Sequence, residues 1–170
     1  KNLDPWSLRA QVMFLLHEVQ QGWGGISLGR LRGMSNPVTA AIYFHDTYFI
    51  VAHFHYVLVA GSLFALFAGF YYWGPKWTGF MYNEARGKFH FWASLVTFNI
   101  TFFPMHFLGL AGMPRRYADY PAQFADFNMI ASFGAFGFGL MQVYFILFVV
   151  IPSIKGGKPA DAKPWEGAEG

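Results

Sequence analysis

The stretch HDTYFIVAHFHYV, residues 45–57, sets three imidazoles and a carboxylate at the head of the longest apolar run in the chain. Neutral imidazole is a good ligand for a metal or a haem iron. His53 and His55 lie only two residues apart. On a helix each residue advances about 100°, so these two rings leave the axis about 200° apart. One metal gripped by both would call for i, i+4 spacing instead. The observed spacing suits two separate axial ligation sites, one on each side of a single helix. The competing account makes both rings hydrogen-bonded packing residues. The run around them, Phe49 to Trp73, contains no carboxylate, Lys or Arg. Polar groups inside such a run are costly and mark function, which favours ligation.

His45 and Asp46 stand at the mouth of the same run, and two readings are open. Asp46 or Thr47 could cap the helix, the simpler account on spacing alone. Alternatively, a carboxylate and an imidazole at a wet membrane edge could hold a hard cation. The doublet Arg115–Arg116, within GMPRRYADYPAQFAD, is open in the same way. It can be an interfacial anchor, or a planar grip on a carboxylate or phosphate. His90 and His106 fall near the ends of a second apolar run, where imidazoles snorkel, and neither is given a metal. His17 sits beside Glu18 with no partner visible in the sequence.

Three elements must position these groups. A bilayer span needs about 20 mostly apolar residues, and three runs qualify, at about 49–73, 89–111 and 127–151. Charged residues are only 12% of the chain, whereas aromatics are 21%. An ordinary soluble domain carries about 25% charge, so most of this surface is not built for water. The fold class expected is all-α, a polytopic membrane helical bundle fragment with three transmembrane helices. Aromatics crowd the span ends at Tyr71, Tyr72, Trp73, Trp77 and Trp92, as in interfacial belts. Gly61, Gly69, Gly134, Gly137 and Gly139 offer close helix approach, and Pro104 should kink the second span.

The rest of the chain frames these spans. Lys76, Arg86 and Lys88 in the first loop, and Lys155, Lys158 and Lys163 in the tail, put one shared side in the cytoplasm. Residues 1–34 form an atypical segment with a short apolar patch, and no cleavable signal peptide is visible there. Residues 35–152 carry the three spans. Residues 153–170, rich in Gly, Lys, Ala and Pro, read as a disordered cytoplasmic tail. There is no cysteine, so thiolate metal sites and disulfides are excluded. A net charge of +3, scattered along the chain, excludes a nucleic-acid partner.

HDTYFIVAHFHYV, NITFFPMHFLGLAGMPRRYADYP and the spacing between them closely resemble the C-terminal part of subunit I of the haem–copper cytochrome c oxidases, of the aa3 type. The resemblance covers about residues 44–152, the last three of that subunit's spans, and residues 1–34 do not share it. It implies that His53 is the proximal ligand of the high-spin, oxygen-binding haem a and His55 an axial ligand of the low-spin haem a, with Phe54 between them. It implies that His45 and Asp46 belong to a magnesium or manganese site completed by subunit II. It implies that Arg115 and Arg116 bind haem propionates. The copper B ligands, the other low-spin haem ligand and the proton channels would lie in the remainder of subunit I, outside this chain.

The activity implied for the full subunit is reduction of oxygen to water with electrons from cytochrome c, coupled to proton pumping. The isolated chain is expected to be inactive. The partners implied are the remainder of subunit I, subunits II and III, cytochrome c, oxygen and the lipid bilayer. The location implied is the bacterial plasma membrane or the mitochondrial inner membrane. The alternative is a non-catalytic haem-binding membrane protein or an inert truncated product.

Overall fold

The computed structural model describes residues 42–165. Three long helices dominate them: α1 (Tyr48–Thr78), α2 (Glu84–Leu110) and α3 (Ala122–Lys155). Each is long and apolar enough to cross a membrane. At 1.5 Å per residue they run about 40–50 Å, more than the apolar core of a bilayer. They extend past the apolar runs because polar residues carry their ends outward: Lys76 on α1, Glu84 on α2 and Asp126 on α3.

Local chemistry fixes the ends. Thr47 caps α1, its hydroxyl accepting from Phe49 N at 3.3 Å. Gly79 closes α1 in the left-handed region at φ 76°, a conformation glycine adopts without steric cost. Asn83 Oδ1 accepts from Arg86 N at 3.1 Å at the start of α2. Gly112, at φ 83°, ends α2. There Gly112 N donates to Gly109 O at 3.0 Å and Met113 N to Leu108 O at 2.9 Å, the hydrogen-bond pair of a Schellman cap. The helical run of α2 continues through Pro104. Two segments widen into π-helix, His55–Ala60 in α1 and Phe145–Val150 in α3.

The contacts divide the described residues into two units, 42–57 with 99–134, and 58–98 with 135–165. In the first, Leu108, Ala111, Met113 and Phe124 form a buried cluster, with Tyr48 and Phe127 packed against it. The helices approach closely at two glycines. A side chain at Gly109 would overlap the Phe49 backbone, and one at Gly134 would lie 2.5 Å from Thr101 N. In the second unit Phe98 is buried, with Phe64 at 5.9 Å and Phe138 at 5.8 Å. Gly137 gives room there to Thr97. The other expected glycines do not act this way: Gly61 and Gly139 face open space, and Gly69 meets only Trp73 of its own helix.

The tail departs from the expected disorder over its described part. Strand β1 (Phe80–Met81) pairs antiparallel with β2 (Lys158–Pro159). Ala160 N donates to Gly79 O at 2.9 Å, and the Trp165 indole to Tyr72 O at 3.0 Å. Trp165 also stacks on Tyr72 at 6.2 Å. Composition alone does not register such a short pairing. The atypical segment 1–34, with His17, lies outside the described residues.

Candidate functional site

All six residues singled out for ligation or charge lie in the first unit. His53 and His55 meet different surroundings. His53 is exposed on the surface of α1, and among the described residues its ring has no hydrogen-bond partner. His55 is half-buried. Its ring stacks between Phe54 at 4.5 Å and Phe102 of α2 at 4.2 Å. Its Nδ1 lies 2.7 Å from Val51 O. A carbonyl can only accept, so Nδ1 carries the proton and Nε2 is left with its lone pair. A backbone carbonyl on one ring nitrogen is the usual way a ligating imidazole is oriented through the other. The π-helical turn begins at His55 itself, and such turns concentrate at functional sites.

At the head of α1 the structure separates the two capping candidates. Thr47 is the cap. Asp46 is engaged elsewhere: Arg115 Nε and Nη2 both lie 3.0 Å from its Oδ1, and His45 Nδ1 lies 3.1 Å from its Oδ2. The backbone repeats the junction. Arg115 N donates to Asp46 O at 2.9 Å, Tyr48 N donates to Met113 O at 3.0 Å, and Thr47 bridges Pro114. The hydrogen bond from Arg115, and then that from His45, hold the Asp46 carboxyl below its ordinary value of 3.8. Arg115 thus already has an anionic partner within this chain. Arg116 is exposed and takes a positive φ of 65°, unusual for a residue with a Cβ.

His45 and Asp46 are a pair, and no cluster of three or more metal-ligating side chains occurs among the described residues.

Sequence reasoning missed two polar pairs inside the spans. Tyr56 OH donates to Asn99 Oδ1 at 2.6 Å. His90, expected to snorkel, is instead 1% exposed and pairs with Tyr71 OH at 2.9 Å. It is enclosed by Phe67 at 4.9 Å and Phe145 at 4.7 Å, so aromatic packing keeps it from the interface. His106 turns back on its own helix, its Nδ1 3.2 Å from Phe103 O.

Three helices long and apolar enough to cross a membrane, one of them bearing two imidazoles in different environments, define a class: polytopic membrane proteins. Comparison with known proteins makes this specific. The model of the family "Cytochrome C and Quinol oxidase polypeptide I" matches residues 6–137, and the chain belongs to that family. The match takes in most of the 1–34 segment, for which the motifs alone suggested no likeness. Among curated relatives, the chain is 50% identical over 115 residues to cytochrome c oxidase subunit 1 of Cereibacter sphaeroides, covering 68% of this chain and 20% of that protein. It is 46% identical over 138 residues to the Yarrowia lipolytica subunit 1, covering 79% and 26%. It is 44% identical over 133 residues to the Candida albicans subunit 1, covering 78% and 25%. The chain therefore spans a fifth to a quarter of the length of these relatives.

Proposed function

We propose that this chain supplies the C-terminal, haem-ligating part of the catalytic subunit of an aa3-type cytochrome c oxidase. The observation that carries the reading is the hydrogen bond between His55 Nδ1 and Val51 O at 2.7 Å. It fixes the ring in the tautomer whose Nε2 can bind iron, inside a span where an unused imidazole would be a burden. His55 would hold the low-spin haem, and His53, exposed on the same helix and without a hydrogen-bond partner among the described residues, the oxygen-binding one. Bound haem supplies the electron transfer and oxygen chemistry. The chain's own part is orientation: the Val51 carbonyl fixes the proton on Nδ1, while Phe54 and Phe102 clamp the His55 ring plane.

Arg116, and Arg115 where it can share its guanidinium with Asp46, would meet haem propionates. His45 and Asp46 would contribute to a magnesium or manganese site completed by subunit II. Copper B ligands, subunit III and the cytochrome c contact would come from the remainder of the complex. The whole assembly would reduce oxygen to water and pump protons in a bacterial plasma membrane or mitochondrial inner membrane. The β1–β2 pairing puts the first loop and the tail on one side, and the lysines and arginines there would make that side the cytoplasmic one.

A visible spectrum of the assembled complex tests the reading. A carbon-monoxide-sensitive high-spin haem together with a low-spin haem is expected. Low-spin haem alone would favour a plain electron carrier, and the absence of haem would end the proposal.

A further inference from the structure

Three residues of α2, Asn99, Phe102 and His106, are spaced i, i+3 and i+7 and so share one helix face. That face meets α1 where the proposed haem ligand stands. Asn99 Oδ1 accepts from Tyr56 OH at 2.6 Å. The Phe102 ring stacks on His55 at 4.2 Å, with 16° between the planes. The His106 ring lies 5.5 Å from Tyr56 and 5.3 Å from Phe49. All of these residues belong to the first unit.

The contacts act on His55 in different ways. The hydrogen bond between its Nδ1 and Val51 O is local. Val51 O also accepts from the His55 backbone N, which donates to Ala52 O as well. These bonds tie the ring to its own helix. They fix its tautomer, and not the direction in which α1 presents it to the surroundings. Stacking on Phe102 fixes the ring plane, but a stack tolerates sliding within that plane. A hydrogen bond is directional and weakens steeply off axis. Tyr56 makes one across to α2, a single residue beyond His55. The π-helical turn starts at His55 and includes Tyr56. Such a turn is rare, and widening the helix changes the azimuth of the side chains it carries. An interhelical hydrogen bond inside a span is a hold that lipid cannot replace.

We propose that Asn99 is a positioning residue for haem ligation: it accepts the Tyr56 hydroxyl, holds the wide turn against α2, and so sets the direction in which His55 presents Nε2. The proposal rests on the reading of His55 as the low-spin haem ligand. Asn99 acts through Tyr56 and the backbone of the turn. A carboxamide suits the task, since it accepts a hydrogen bond without bringing a charge into the span. Partners one shell out from a ligating imidazole orient it in this way. Removing the hydroxyl leaves the Val51 bond and the Phe102 stack in place, so the ligand is reoriented and not lost.

The test uses the assembled oxidase carrying this chain, as the parent, Tyr56→Phe, Asn99→Leu and the double variant. Electron paramagnetic resonance of the ferric low-spin haem is the readout, since its g values respond to the orientation of the axial imidazoles. Each single substitution is expected to shift the g values, and the double variant to add nothing further, as for two residues acting through one contact. Carbon monoxide binding at the other haem should stay unchanged. Parent g values in Tyr56→Phe overturn the proposal, because that variant keeps the ring and removes only the hydroxyl. A shift in Asn99→Leu alone assigns the effect to packing and also overturns it. If Asn99→Leu does not assemble, Tyr56→Phe decides. A structure of the parent complex with the hydroxyl and the amide beyond hydrogen-bond distance overturns the proposal without any variant. Failure of the haem reading is distinct: His55→Ala would then leave the low-spin signal in place.

Discussion

Arg115 grips Asp46 across 69 residues of sequence, with Nε and Nη2 each 3.0 Å from the same carboxylate oxygen. The pair ties the loop after α2 to the head of the histidine-bearing helix. It also sets the charge of the carboxylate proposed to meet a cation. Asp46 is exposed, so its value lies in fixing geometry, since surface ion pairs add little stability.

The first prediction concerns acid. The Asp46 carboxyl is held below 3.8 chiefly by the hydrogen bond from Arg115. A depressed value means the contact is fully present above the ordinary carboxyl range and is lost as pH falls through the depressed value. Arg115→Ala should therefore move the Asp46 midpoint up toward the ordinary range. Carboxyl-carbon nuclear magnetic resonance of labelled Asp follows it, and an unmoved midpoint would show that Arg115 does not set it.

Asp46 and Thr47 should now separate cleanly. In an assembled oxidase carrying this chain, Asp46→Asn should weaken manganese occupancy while both haems stay bound, because an amide is a poorer ligand for a hard cation. Thr47→Ala removes the cap and should cost about 1 kcal/mol of stability with manganese retained. Electron paramagnetic resonance and thermal denaturation report the two effects. Equal manganese loss in both variants would return Asp46 to a purely structural role.

Packing makes a third prediction. A side chain at Gly134 meets the Thr101 backbone at 2.5 Å, and backbone cannot swing aside. Gly134→Val should cost about 1–3 kcal/mol, as overpacking does. Thermal unfolding of the chain in lipid nanodiscs measures this. An unchanged midpoint would mean that the helices do not approach there.

The spans were legible because they are local signals: apolar length and absent charge. The histidines stood out for a local reason too, as imidazoles where lipid-facing chemistry discourages them. What stayed hidden was pairing across long separations. Nothing in GMPRRYADYP says that Arg115 turns back onto Asp46, and nothing in KGGKP says that Lys158 and Pro159 pair with Phe80 and Met81. His90 was misread because its place near a span end suggested the interface, whereas its surroundings come from Tyr71, Phe67 and Phe145 on other helices. Gly109 escaped notice although it makes a close approach, since a glycine near a helix end reads equally well as a terminator.

The central claim is that one helix serves two haems from different sides. The most direct measurement is the visible spectrum, with and without carbon monoxide, of assembled oxidases carrying His53→Ala or His55→Ala. His53→Ala should remove the carbon-monoxide-reactive haem and leave the low-spin bands. His55→Ala should remove the low-spin bands and spare carbon monoxide binding. If both substitutions removed the same haem and left the other intact, the two-sided account would be wrong.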